Sequence, residues 1–241
     1  VATETNITKL EDQITGVVAH LEDEVYVSNS RFDEADKLLE DLQGHHAKLM
    51  SFENMAKTYS SYQVLFGEEE HEFTALENGL KKCSNIVTTW TQINNWNTKK
   101  NTWMTQQLTD IDVEEMEKEV QMLFKDAYAL HKKVDSPATE MLKDGVSDLK
   151  NMMPTILELG NPNLRERHWQ NIFKLIKMQY HGVDMPFDLE TLIKAGIMDF
   201  KDQVGDISGI SSGEAQLEQS LIKVTSAWEN LSFLVMNHRI H

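Results

Sequence analysis

Glu68-Glu69-Glu70-His71 holds a Glu-x-x-His spacing. That spacing supplies di-iron ligands in four-helix bundles when a second copy and two more glutamates face it from partner helices. No second copy occurs in the chain, so the run reads as the solvated, acidic start of a helix. His45 and His46 are adjacent; in a helix they point about 100° apart and share a metal poorly, so they read as a stripe-and-surface pair. Cys83 falls on an apolar stripe with no histidine beside it in sequence, which favours core packing over a nucleophile. As the single cysteine it forms no internal disulfide, in keeping with a reducing compartment. A phosphate-gripping P-loop needs Gly-Lys at its end, and none of the eleven glycines precedes a lysine. No G-x-G-x-x-G is present either.

One cluster remains, Arg167-His168-Trp169 within "ELGNPNLRERHWQNIF" (158–173). Asn161-Pro162 has the form of an N-cap followed by proline at the first helical position, so "LRERHWQNIFKLIKM" is expected to be helical. In such a helix His168 and Ile172, Trp169 and Phe173, and Arg165 and Trp169 are i,i+4 pairs. A purely structural reading has Trp169 anchoring the helix in the core, Arg167 pairing with a carboxylate and His168 donating to a backbone carbonyl. Trp90, Trp103 and Trp228 also lie on helical stripes or at helix ends, where an aromatic fills a core; a partner surface is the other reading.

The elements that must hold these residues are helices. The chain has 241 residues, 40% of them hydrophobic, enough for one large or two modest domains. No run approaches the roughly 18 apolar residues of a membrane span, and no signal sequence opens the chain, so a soluble, intracellular protein is expected. The first residue is Val1 rather than methionine, which points to a piece of something longer. Residues 1–80 carry 17 acidic and 5 basic side chains, and residues 81–241 carry 22 and 18. Such acidity repels phosphate backbones and anionic membranes, which excludes nucleic-acid and membrane binding as expected functions.

All four prolines (Pro137, Pro154, Pro162, Pro186) lie beyond residue 136. Each costs about 3 kcal/mol in a helix interior, so the first 136 residues are free to form long helices. Their apolar residues step by three and four: Ile7, Leu10, Ile14, Val17, Leu21; then Phe32, Ala35, Leu39, Leu42, His46, Leu49; then Phe73, Leu76, Leu80, Cys83, Val87, Trp90. Ser28-Asn29-Ser30 is either a break or an exposed turn. Gly67 closes one helix before the acidic run. Asp112 caps the next stripe, Met116 to Val134, with Glu115 in capping-box spacing, and Ser136-Pro137 starts another helix.

The last third is more broken. Pro154 is expected to kink or restart the helix through Leu142, Val146 and Leu149. A loop at 181–188, two short helices near 189–195 and 198–207, and a final helix from Ser211 follow. Its stripe is Leu217, Leu221, Val224, Trp228, Leu231 and Val235. Only "SFLVMNHRI" near the end has strand character.

The order of these features resembles dynein heavy chains. "LKNMMPTILELGNPNLRERHWQNIFKLI", with Pro154, Asn161, Pro162, Arg167, His168 and Trp169, is similar to the segment where such chains enter the linker. Trp90, Trp103 and "QQLTDIDVEEMEKEV" resemble the start of that region. "FDLETLIKAGIMDFKDQVGDISGISSGEAQLEQSLIKVTSAW", ending at Trp228, is similar to its later helices, although "ISGISSGEAQ" is richer in glycine and serine than the family's Ala-rich link. The sequence style is closer to axonemal than to cytoplasmic dyneins.

The resemblance covers residues 86–241, the N-terminal part of the linker, with 1–85 as a helical stem segment. It implies an all-α fold, an elongated bundle of long antiparallel helices followed by the shorter helices of a linker arm. It implies a non-catalytic, force-transmitting lever between tail and AAA+ ring, in the cytoskeleton of a cilium or flagellum. No cofactor is expected in this segment; ATP and Mg belong to the parent motor's ring. Expected partners are the rest of the heavy chain, intermediate or light chains, or another heavy chain. Direct tubulin binding is not expected from an acidic surface. The alternative function is a spectrin-like or coiled-coil scaffold, and a helical metalloenzyme is a third class.

Overall fold

The computed structural model describes residues 2–182, 187–229 and 231–232. Among them are eight α-helices, four short 3-10 turns and no strand. The fold is all-α. The chain divides into two compact units, residues 1–102 with 118–150, and residues 103–117 with 151–241.

The first unit contains α1 (Ala2–His20) and α2 (Ala35–Phe66), with parts of α3 (Thr74–Thr105), α4 (Val113–Lys133) and α5 (Pro137–Leu159). Much of the expected stripes is its core: Ile7, Leu10 and Ile14 of α1, Leu21 just past its end, and Ala35, Leu42 and Leu49 of α2 are buried, but it is Leu38 rather than Leu39 that is fully buried. Ser28-Asn29-Ser30 is a true break, flanked by 3-10 turns at Glu24–Tyr26 and Phe32–Glu34. Gly67 ends α2 at φ 71°, and the Gly67 and Glu68 amides donate to the Val64 and Gln63 carbonyls at 3.1 and 2.9 Å, a Schellman cap. The acidic run lies in the connection rather than opening a helix, since α3 begins only at Thr74.

Helix pairing follows from the contacts. A Cβ on Gly79 of α3 would lie 3.8 Å from Leu49 of α2, and the Asn97 amide donates to the Phe32 carbonyl at 2.7 Å, so α2 and α3 run antiparallel. Lys99–Glu119 (2.7 Å) and Lys133–Asn85 (3.0 Å) set α4 antiparallel to α3. The α4–α5 turn is capped as its sequence predicts. Ser136 Oγ accepts from the Thr139 amide at 3.3 Å and Pro137 is the first helical residue. Asp112 likewise accepts from the Glu115 amide at 3.0 Å.

The second unit departs further from expectation. α5 runs unbroken through Pro154. The proline ring is on the exposed side, so the carbonyl one turn upstream that loses its N–H partner can be hydrated, while Met153, Thr155 and Ile156 are buried on the packed side. Asn161-Pro162 does not start a helix. The Leu164 amide donates to the Asn161 carbonyl at 3.0 Å, making a β-turn with proline at its second position. Helix α6 starts later, at Glu166, and ends at Leu175. α7 (Leu189–Lys194) and the 3-10 turn Ile197–Phe200 lead into α8 (Lys201–Glu229). α8 is one continuous helix, so Ser211 is an interior residue and not a cap. Pro186 and residues 233–240 of the strand-like stretch lie outside the described residues.

Candidate functional site

Asn161, Pro162, Arg167, His168 and Trp169 converge on one feature of the second unit, a clasp joining the 160–165 turn and the start of α6 to the middle of α8. Asn161 works in two directions. Its Oδ1 accepts from the Asn163 amide at 3.0 Å, an Asx turn that fixes the bend. Its Nδ2 reaches Ser208 Oγ at 2.7 Å and Ser212 Oγ at 2.8 Å, which accounts for both amide hydrogens. Ser208 and Ser211 are buried on α8 against this group.

His168 plays a part that the sequence reading assigned differently. It does not donate to a carbonyl; its Nδ1 accepts the Arg165 backbone N–H at 3.0 Å. With Arg165 as N-cap, His168 occupies the third helical position and satisfies the N-cap amide as glutamate does in a capping box. That bond assigns the remaining proton to Nε2. Nε2 lies 3.1 Å from Glu214 Oε2 but without hydrogen-bond alignment. Arg167 pairs with Glu214, and Arg165 with Glu218, one turn further along α8. The Arg167 guanidinium, hydrogen-bonded to Glu214, is the main cause holding that carboxyl below its ordinary range.

Trp169 backs the clasp from inside. It is 9% exposed and meets Phe187 edge-on at 4.9 Å, while Phe173, one turn on, meets the same ring at 5.0 Å. The exposed ion pairs are screened by solvent and add little to stability, whereas a buried tryptophan contributes about 3–5 kcal/mol. Trp169 and Asn161 therefore set the strength of the clasp, and the arginines set its alignment. Its polar groups are turned on one another, so what the arrangement does chemically is tie α6 to α8.

The other singled-out residues are elsewhere. Trp90 is fully buried in the first unit, its Nε1 donating to the Tyr26 carbonyl at 3.0 Å. Trp103 is buried in the second unit, and Pro154 is interior to α5. Trp228 does not fill a core. It is 58% exposed, and Leu217, Leu221, Val224 and Leu231 of its stripe are exposed with it. Glu68–His71 is non-helical, so its Glu-x-x-His spacing makes no common helix face; His71 Nε2 instead pairs with Glu11 at 2.7 Å. His45 stacks on His20 with ring centroids 5.6 Å apart. Cys83 is buried, and burial pushes its thiol pKa up, away from the nucleophilic thiolate. Among the described residues no three His, Cys, Asp or Glu side chains group to hold a metal. No described helix is long and apolar enough to cross a membrane.

Reading the sequence missed the α8 half of the clasp: Ser208, Ser212, Glu214 and Glu218. Two glutamates one turn apart facing Arg165 and Arg167 were the available signal, but nothing local says which acidic pair of many they match.

Comparison with known proteins finds dynein heavy chains. Human "Dynein axonemal heavy chain 6" is 30% identical over 205 residues, covering 85% of this chain and 5% of the relative. Human "Dynein axonemal heavy chain 2" is 25% identical over 186 residues, 76% of this chain and 4% of that protein. The "Dynein alpha chain, flagellar outer arm" of Chlamydomonas reinhardtii is 26% identical over 138 residues, 57% of this chain and 3% of the relative. The chain thus spans at most 5% of the length of these relatives. The family model "Dynein heavy chain, N-terminal region 2" matches residues 76–241, and by that match, running through the clasp and all of α8, the chain belongs to this dynein heavy-chain family.

Proposed function

We propose that this chain is a non-catalytic, force-transmitting part of an axonemal dynein heavy chain, with residues 1–85 in the stem and 86–241 in the linker, a jointed helical arm between the tail and an ATP-hydrolysing ring. ATP and Mg bind elsewhere in the parent motor. The neighbours of this segment are the rest of the heavy chain, intermediate or light chains, or a second heavy chain, within a cilium or flagellum. The family match and the axonemal names of its relatives support the setting.

The observation that carries the mechanical reading is the clasp. Dense helix packing resists compression and passes displacement along, while joints form where helices end. With α5 continuous through Pro154, the joints belong at the 160–165 turn and in the segment after α6, where Lys177 and Gly182 take positive φ. The clasp spans the first of these and ties it to α8. In a complete heavy chain, Asn161→Ala, which removes the tie to Ser208 and Ser212, is expected to leave microtubule-stimulated ATPase near wild type while gliding velocity falls, because ring chemistry continues but the arm yields. Unchanged velocity, or velocity and ATPase falling together, would remove the support for this reading.

A further inference from the structure

We propose that the groove between the C-terminal half of α2 and the N-terminal part of α3 docks a basic amphipathic helix from another polypeptide, an inference independent of the motor reading. The groove has a volume of about 840 Å³. Its floor is apolar, with Ala56, Phe73 and Leu76 buried along it and Val64 exposed at its mouth. Two antiparallel helices present a straight trough between their side-chain ridges, the shape that takes a third helix with apolar residues at i, i+3 and i+4.

The rest of this unit leaves the trough open. α4 flanks α3 only as far as Asn85, where Lys133 ends its last turn. From there to Thr74, α3 continues for roughly three more turns. α1 contacts the pair at Gly79 through Val18 and at His71 through Glu11, but contributes no lining residue. Beyond the trough, Leu65 and Phe66 at the end of α2 are 74% and 70% exposed and extend the apolar surface around Val64.

Charge selects the occupant. The rim carries Glu53, Glu70, Glu72 and Glu77. Lys57 lies 2.9 Å from Glu53 and cancels it, and the imidazole of His71 is committed to Glu11. Three carboxylates therefore flank an apolar floor, within a stretch, residues 1–80, that has 17 acidic and 5 basic side chains. A second copy of this face would bring like charges together, and an acidic partner would be repelled. A helix with leucine-like anchors and flanking lysine or arginine meets both the floor and the rim.

The test uses the 241-residue chain and two synthetic helical peptides with the same leucine spacing, one flanked by lysines and one by glutamates. Calorimetry measures affinity, and methyl NMR of Val64 and Leu76 reports location. The lysine peptide is expected to bind at one site, to perturb both methyl groups and to weaken with salt. Either the exposed charge reversal Glu70→Lys/Glu72→Lys/Glu77→Lys or Val64→Glu should weaken it by about ten-fold or more, since each removes one half of the complementarity. Folding of both variants is checked by circular dichroism. Equal binding of the two peptides, undiminished binding to the charge-reversed chain, or no perturbation of the groove would overturn the proposal. So would self-association that Val64→Glu abolishes, because the groove would then belong to a second copy.

Discussion

At the scale of single residues, the tryptophans separate what a stripe position means from what it does. Trp169 and Trp228 both fall on helical apolar faces, yet one is 9% and the other 58% exposed. Trp169→Ala empties a site enclosed with Phe187 and is expected to cost about 3–5 kcal/mol. Trp228→Ala changes a side chain that mostly faces water and should stay within about 0.5 kcal/mol. Chemical denaturation of the two variants beside the parent checks the contrast; a small loss at Trp169 would return it to the surface. His168 teaches a related lesson. Its type and burial suit a ligand, but its geometry is that of a helix-start acceptor, Nδ1 on the Arg165 amide.

At the scale of elements, the starts and stops encoded by short-range signals came out as expected where one local interaction decides them. Gly67, Asp112 and Ser136-Pro137 each form the cap their residue types favour, because each satisfies an orphan backbone group within a few residues. Asn161-Pro162 is different: a fixed proline φ suits the first residue of a helix and the second of a β-turn equally. Here Asn161 Oδ1 accepts from the Asn163 amide as a cap would, but the Leu164 amide closes a β-turn on the Asn161 carbonyl, and Ser208 and Ser212 on α8 hold Nδ2 in that bend. Close approach between elements is equally invisible locally. A Cβ on Gly160 would lie 2.5 and 2.6 Å from the two Cγ atoms of Val113 and 3.1 Å from its Cβ. No rotation of that valine frees the space, so Gly160→Ala is expected to destabilise by about 1–3 kcal/mol through overpacking. Thermal melting of the variant measures it, and an unchanged midpoint would mean that the end of α5 and Val113 separate more easily than their packing indicates.

At the scale of the whole molecule, helicity and burial part company in α8. Val204, Ser208 and Ser211 are buried, whereas from residue 216 to 229 every position is exposed. Hydrogen exchange on the 241-residue chain should therefore show amides of residues 220–228 exchanging well before those of residues 86–96, where Trp90, Ile93 and Trp96 are fully buried. Equal protection would mean that the stripe of Leu221, Val224 and Trp228 is covered in solution. The all-α class, the long helices of the first 136 residues and most of their caps are legible in the order of residues, because 3-4 spacing and capping chemistry act within a turn or two of chain. Packing between elements set the rest: α5 passes through Pro154, Asn161 bends the chain, α8 runs through its glycines, and Leu217, Leu221 and Val224 of its stripe are exposed. Periodicity states which side of a helix is apolar; only the arrangement of the other elements states whether anything lies against that side.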